Sequence, residues 1–305
     1  MFARVRYSLQ TGVVLALILV ASTPDTLHAR PLNDIIESGE IRFCVAPIHP
    51  SIASAAPPVC KTDCKLSGPV VEEARAFAAS LGENMKAKFV TIGWDEQFHD
   101  QRGITDRESD AAPRLLENGT CDIYPSHLTI TDWRLRMMDI VPLFNSRMMV
   151  IVDKGRQEDF KMPADLAGKS TAAEKDTSFH SWIQAQNEGK FSDNPILVEL
   201  LSSEEVFQSL DDNRIDFVLT DANAAIWSIR HTLNNAAVAF PVGEDEQIGW
   251  GVSKSDKALQ KKIETYFAEQ KSSNTSTYNR IWEDHFGVSL TRFENLLNSL
   301  SQLPR

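Results

Sequence analysis

Thr129-Ile-Thr-Asp-Trp-Arg134 sets two hydroxyls and a guanidinium in one short stretch behind Gly119-Thr-Cys-Asp122. A guanidinium is the best side-chain partner for a carboxylate, because its fork delivers two parallel hydrogen bonds. Read alone, Arg134 suits a surface ion pair equally well, since Asp132 and Arg136 flank it. Asp221 ends an apolar run that begins at Ile215 and precedes the helical segment Ala222–Trp227. An aspartate there can cap a helix as readily as receive a cation. Thr177 and Ser178 stand in the same relation to Phe179–Gln186. Ser/His/Asp hydrolase motifs, phosphate-cradling glycine loops and zinc-hydrolase spacings are absent from the sequence, so no catalytic set, cofactor or metal is expected.

Alternating strands and helices must position these residues. Ile41–Val45 and Lys88–Ile92 read as strands, and Pro69–Leu81 as a helix from its apolar residues at Val70, Val71, Ala74, Phe77, Ala78 and Leu81. Pro69 suits the first turn, Glu72 and Glu73 suit the positive dipole end, and Gly82 can terminate it. A polar helical stretch at Ala111–Leu116 leads through Asn118-Gly119 to a short strand at Asp122–Tyr124. The grammar then repeats: strands at Arg147–Val152, Ile196–Leu200 and Ile215–Leu219, with Ser202-Ser-Glu-Glu205 as a capping box starting a helix through Leu210. An acidic helix, a turn and then an aspartate opening a strand occurs twice, at Asp122 and at Asp216. Strand, helix, strand with short buried strands implies parallel sheets covered on both faces. From Lys254 onward the chain reads as polar helix with an apolar stripe at Leu296, Leu297 and Leu300, and residues 51–67 read as the one irregular loop. Trp133 and Trp250 read as packing residues.

With 305 residues the chain is long enough for two domains, and apolar (42%) and charged (24%) fractions are those of a globular protein. A net charge of −11 leaves no basic footprint, which excludes nucleic acid as an expected partner. Arg4 and Arg6, the nine apolar residues Val13–Ala21, and Leu27-His28-Ala29 read as an export signal over residues 1–29, too short to span a bilayer. Its removal takes away a net charge of +1 and leaves −12. Cys44, Cys60, Cys64 and Cys121 then lie in an oxidising compartment, where one or two disulfides are expected and three complete pairings are open. Cys60 and Cys64 could pair locally or close back to Cys44.

Five stretches in order carry a resemblance to a known family: Leu32–Phe43, Gly68–Gly82, Leu116–Arg134, Asp165–Lys169 with Asp176–Ser178, and Leu210–Asp221. Together they resemble periplasmic solute-binding proteins of the polar-amino-acid type. The resemblance implies an α/β fold of two lobes, each a mostly parallel sheet flanked by helices, joined by two crossing hinge strands. The first lobe would be residues 30–145 plus 246–305 and the second 146–245, with crossings near Asn145–Met149 and Gly243–Gly249. It also implies a non-enzymatic periplasmic receptor that clamps a small polar, amino-acid-like ligand and serves an inner-membrane permease or sensor. Such a ligand carries a carboxylate and an ammonium, and taking both out of water is costly unless each meets an opposite charge. Arg134 matches the family's carboxylate-binding arginine, and Thr129 the residue beside it. Asp221 matches the acid that receives the ammonium, and Thr177 and Ser178 match its hydroxyl and amide donors. His127 occupies a position usually held by Ser or Gly and joins the expected ligand-binding set.

Pro47-Ile48-His49-Pro50 replaces the aromatic residue usual after the first strand. His49, His127 and His180 all fall on loops expected to face the cleft, where three imidazoles could hold a transition metal or a pH-dependent anion. No spacing motif joins them. Two other functions share the fold. Cyclohexadienyl dehydratases use the same clamp with a carboxyl general acid, for which Glu174 is the candidate here. The run Ile226-Trp227, Phe240-Pro-Val-Gly243, Ile248-Gly-Trp250 and Asn279-Arg-Ile-Trp282 resembles the regulatory lobes of membrane-bound lytic murein transglycosylases. That likeness implies a sensor or envelope-binding module.

Overall fold

The structure is a computed structural model that describes residues 28–301 apart from 59 and 61–63. The expected export signal, except for its last two positions, lies outside the described residues. Helix α1 (Leu32–Ser38) leads into β1 (Glu40–Val45), followed by β2 (Ser54–Ala56), β3 (Lys65–Ser67), α2 (Pro69–Leu81) and β4 (Lys86–Thr91). Next come α3 (Arg114–Glu117), β5 (Ile123–Thr129), α4 (Asp132–Met137) and the long β6 (Asp139–Asp153). β7 (Ser170–Ala173), α5 (Ser178–Glu188), β8 (Leu197–Leu200), α6 (Ser203–Asp211), β9 (Phe217–Asp221) and α7 (Ala222–His231) form a second set. The long β10 (Ala236–Val252) precedes α8 (Lys257–Lys271), α9 (Thr277–Phe286) and α10 (Leu290–Ser301).

Among the described residues, eight strands form one sheet in the order β4-β1-β5-β10-β6-β9-β7-β8. Both ends are parallel: β1 pairs with β4 and β5, and β7 with β8 and β9. The middle is not. β10 runs antiparallel to β5 and β6, and β6 antiparallel to β9. The sheet is therefore parallel only outside the two long strands that connect its halves. These strands face each other from Asp139↔Val252 to Asp153↔Ala236, with Asn145↔Gln247 and Arg147↔Asp245 near mid-length. At Gly249 a Cβ would lie 2.3 Å from the Val141 oxygen, so only glycine lets the two backbones approach this closely.

Several expectations shift. The expected helix over Ala111–Leu116 shrinks to α3, because Pro113 disfavours helical geometry at the residue before it and stands at the helix N-cap. The segment expected to be irregular contains a hairpin, in which β2 pairs with β3 and Cys60 is bonded to Cys64. The second disulfide joins Cys44 on β1 to Cys121 before β5. Leu297 is buried beside Phe293, whereas Leu296 is 49% exposed, so the C-terminal stripe runs through Leu290, Phe293 and Leu297 instead. Trp250 is fully buried and meets Phe43, Phe77 and Phe267 edge-to-face, as a packing residue should.

The repeated aspartate has a repeated job. Asp122 Oδ2 accepts the Arg42 N–H at 2.7 Å, while the Asp122 N–H donates to the Arg42 oxygen at 2.9 Å. Asp216 Oδ2 accepts the Ser170 N–H at 2.7 Å, while its own N–H donates to the Ser170 oxygen at 2.9 Å. Each carboxylate also takes a guanidinium at 2.5 Å, from Arg30 and Arg156 respectively. In each half the aspartate thus fastens the start of one strand to its parallel neighbour. Replacing Asp122 or Asp216 with Ala strands a strand-edge N–H and an arginine, and should each cost about 2–3 kcal/mol in urea unfolding. A loss below about 0.5 kcal/mol at both sites, within the range of ordinary surface changes, would remove this role.

Candidate functional site

The sheet's parallel halves end at one small cavity of about 60 Å³. β5 supplies His127 and Thr129, and after a two-residue turn α4 brings Arg134 back beneath them. The far wall is made by Glu174 just past β7, by Thr177 and Ser178 opening α5, and by Asp221 closing β9. Carboxyl ends of strands are where α/β sheets place ligands. All six residues singled out from the sequence (His127, Thr129, Arg134, Thr177, Ser178 and Asp221) line this one cavity.

Arg134 is 1% exposed and is not the surface ion-pair former its neighbours Asp132 and Arg136 suggested. Its Nη1 donates to the Thr129 oxygen at 2.8 Å, Nη2 reaches the Asp176 oxygen at 3.4 Å, and Nε has no partner. Phe98, Trp133 and Trp94 surround the guanidinium carbon at 4.9, 5.1 and 5.6 Å from their ring centres. Burial pulls its pKa down to about 10, helped by the like charge of Arg107, so it stays cationic at neutral pH. The rings hold the fork in place and leave its Nε–Nη2 edge without a strong acceptor.

Asp221 sits at the N-cap position of α7, yet its side chain makes no cap hydrogen bond. Its Oδ1 is buried without a partner. Burial first, then the negative charge of Glu246, pushes its carboxyl well above the usual range, while Arg134 opposes the rise. Thr177 does cap its helix: Oγ1 accepts from the His180 N–H at 3.2 Å and donates to the Glu174 oxygen at 2.7 Å. Ser178 Oγ stands 3.4 Å from Thr129 Oγ1, so the two walls nearly touch. Arg107 also bridges them, donating to Asp176 Oδ1 at 2.6 Å and Ser181 Oγ at 3.0 Å with its guanidinium over Trp133.

The three histidines do not assemble into a site. No group of three His, Cys, Asp or Glu side chains suited to a metal occurs among the described residues. His127 adopts a φ of +53° and its Nε2 lies 3.0 Å from Glu73 Oε2 in the core. Ser51 Oγ lies 2.7 Å from His49 Nδ1, Nε2 lies 3.3 Å from Ser228 Oγ, and Phe207 and Trp227 pack on the ring. Burial lowers its pKa to about 4, so it is a neutral wall residue. His180, on α5, does not line the cavity.

Sequence reasoning missed Trp94, Phe207 and Glu246. Trp94 stands three residues past the end of β4 and supplies an aromatic wall where the first loop lacks one; its position after a strand and Gly93 was the available signal. Glu246 lies on β10 inside the expected crossing, with Oε2 buried and unpartnered, and burial raises its pKa to about 7 against the pull of Arg134.

A family model described as bacterial extracellular solute-binding proteins, family 3, matches residues 51–288. Membrane-bound lytic murein transglycosylase F of Desulfosudis oleivorans is 26% identical over 212 residues, 68% of this chain. The chain spans only 42% of that relative's length. The L-cystine-binding protein TcyJ of Escherichia coli K12 is 23% identical over 292 residues, covering 94% of this chain and 97% of the relative. Among solved structures, an ancestral arginine-binding protein bound to arginine superposes with a TM-score of 0.64 at 23% identity, over 82% of this chain and 99% of its own. An ancestral amino acid-binding protein described as a precursor of cyclohexadienyl dehydratase gives 0.65 at 21% identity, over 83% and 98%. These likenesses establish the two-lobed fold.

A buried guanidinium with no counter-charge costs stability that an apolar side chain of similar length would not. Arg134→Met should therefore leave the unliganded protein within about 1 kcal/mol of wild type in thermal unfolding, the lost ring contacts offsetting the relieved charge. A fall of several kcal/mol would mark Arg134 as a structural residue.

Proposed function

The chain belongs to the bacterial extracellular solute-binding proteins, family 3, and on that footing we propose that it is a receptor closing on a small ligand that carries both a carboxylate and an ammonium, an amino acid or a derivative. One observation carries the reading: a guanidinium whose Nε is buried without a partner and a carboxylate whose Oδ1 is buried without a partner, on opposite walls, line one cavity. Each is costly alone and each is the complement of one end of a zwitterion. The ligand carboxylate takes the Nε–Nη2 edge of Arg134, with the Thr129 and Ser178 hydroxyls beside it. The ammonium takes Asp221, which ionises as it does so. Trp94 and Phe207 pack against the remainder.

In this reading residues 30–145 with 246–305 form one lobe and 146–245 the other, with β6 and β10 as the crossings that flex between open and closed forms. The receptor works outside the inner membrane after export and delivers its ligand to an ABC-type importer. No helix among the described residues is long and apolar enough to cross a membrane. Glu174 gives a second reading, as acid in a dehydratase-like reaction, because it lines the cavity and burial raises its pKa. Its Oε2 is held by the Ser203 N–H and hydroxyl at 3.2 and 2.5 Å, which favours a wall role over proton donation.

Thermal unfolding of the exported protein against a panel of free L-amino acids, L-cystine and arogenate tests this. At least one compound should raise the melting temperature, by the equivalent of about 2.7 kcal/mol at a hundredfold excess over Kd. Arg134→Met and Asp221→Ala should each abolish the shift. No response to any compound overturns the receptor reading, and turnover of arogenate replaces it with the enzymatic one.

A further inference from the structure

The register of the two crossing strands sets a third charged group beside the pair already described. Met148 on β6 stands opposite Asp221, and Ser146 on β6 stands opposite Glu246. Residues directly opposite in an antiparallel pair share a face, as do residues two apart on one strand. Asp221 and Glu246 therefore project from the same face, one on each side of β6, with the Ser146 hydroxyl between them. Asp221 Oδ1, Glu246 Oε2 and Ser146 Oγ are all buried without a hydrogen-bond partner, and so is Nε of the 1%-exposed Arg134.

The other charged groups around them are accounted for. Asp176 is held by Arg107, and Arg147 faces Asp245 from the opposite side of β6. His127 is tied to Glu73, and His49 is neutral. Glu174, at the cavity wall, has Oε2 engaged by Ser203, while its Oε1 accepts no hydrogen bond among the described residues. One cation, Arg134, thus faces the uncompensated carboxylates Asp221 and Glu246, with Glu174 beside them. A zwitterion adds one charge of each sign and leaves that excess in place. A ligand with one further positive charge cancels it.

We propose that the site selects by net charge, taking amine-bearing carboxylates of charge +1 in preference to neutral ones, and that Glu246 sets this preference from the hinge strand without lining the cavity. The inference rests on the receptor reading and names its ligand class. Glu246 acts here as a positioning charge: through the low-dielectric space beside β6 it favours a second cation wherever the ligand carries it. When a neutral ligand binds, the carboxylates keep one proton between them; when a cationic one binds, that proton goes to the buffer.

Calorimetric titration with L-arginine and its neutral isostere L-citrulline, at pH 7 and in two buffers of different ionisation enthalpy, reads both quantities. Wild type should bind L-arginine about tenfold or more tighter than L-citrulline, with net proton release for arginine alone. Glu246→Gln should bring the two affinities together and make the proton release the same for both ligands. Equal affinities in wild type, or a preference untouched in Glu246→Gln, overturn the proposal.

A second arm uses unliganded protein and stands apart from the receptor reading. Carboxyls raised in the folded state bind protons that the unfolded chain, with carboxylates near 4, does not, so they stabilise the fold as pH falls from about 7 to about 5. His49, lowered to about 4, works in the opposite direction over that window and is common to both proteins. The melting temperature of wild type relative to Glu246→Gln should therefore rise as pH falls from 7 to 5. A constant difference overturns the shared-proton arrangement even if no amino acid binds.

Discussion

A guanidinium enclosed by three aromatic rings, with no carboxylate in ion-pair contact among the described residues, is the interaction around which the site is arranged. Arg134 cannot be relieved by water, because it is buried, nor by its sequence neighbour Asp132, which stands two residues earlier on the exposed side of α4. Its single good acceptor is the Thr129 backbone, which ties the guanidinium to the last residue of β5. The carboxylates that act on it most belong to other segments: Glu246, Asp221 and Asp176. The two halves of the sheet are thus related through a charge imbalance that neither half resolves alone.

The scaffold that presents this imbalance is built twice. In both halves an aspartate one residue ahead of a strand grips the backbone of the neighbouring parallel strand and is itself gripped by an arginine. The strands so fastened, β5 and β9, are those whose far ends carry Thr129 and Asp221. Rigid anchoring at one end lets the functional residues sit at the other in a fixed relation to the strand ends, while β6 and β10 alone cross the middle.

Much of this was legible from local chemistry. Pro69–Leu81 became a helix with the expected bounds, Ser202 and Glu205 formed the expected reciprocal cap, and the doubled aspartate motif marked equivalent positions. The six residues singled out line one cavity because they stand at or just past the carboxyl ends of strands. What stayed hidden depends on partners far along the chain. β5 reads poorly because every residue from Ile123 to Thr129 is buried, polar and apolar alike, so no alternation survives. The hairpin of β2 and β3 spends only three residues per strand and draws its closure from Cys60–Cys64. Arg134 and Asp221 look like ordinary surface and capping residues until tertiary packing removes their partners. Glu246 carries no motif at all; only the register of Ser146 against it, and of Met148 against Asp221, sets it beside Asp221.

The bridge between Arg107 and Asp176 has a bearing on how the walls hold together. It joins a long loop to the segment after β7, and its two side chains remain 28% and 14% accessible. Contacts of this kind are screened by dissolved ions over about 8–10 Å at physiological strength, unlike the buried charges behind them. In the proposed receptor, the grip of one wall on the other is thereby coupled to the salinity of the surrounding fluid more strongly than are the charges enclosed behind it.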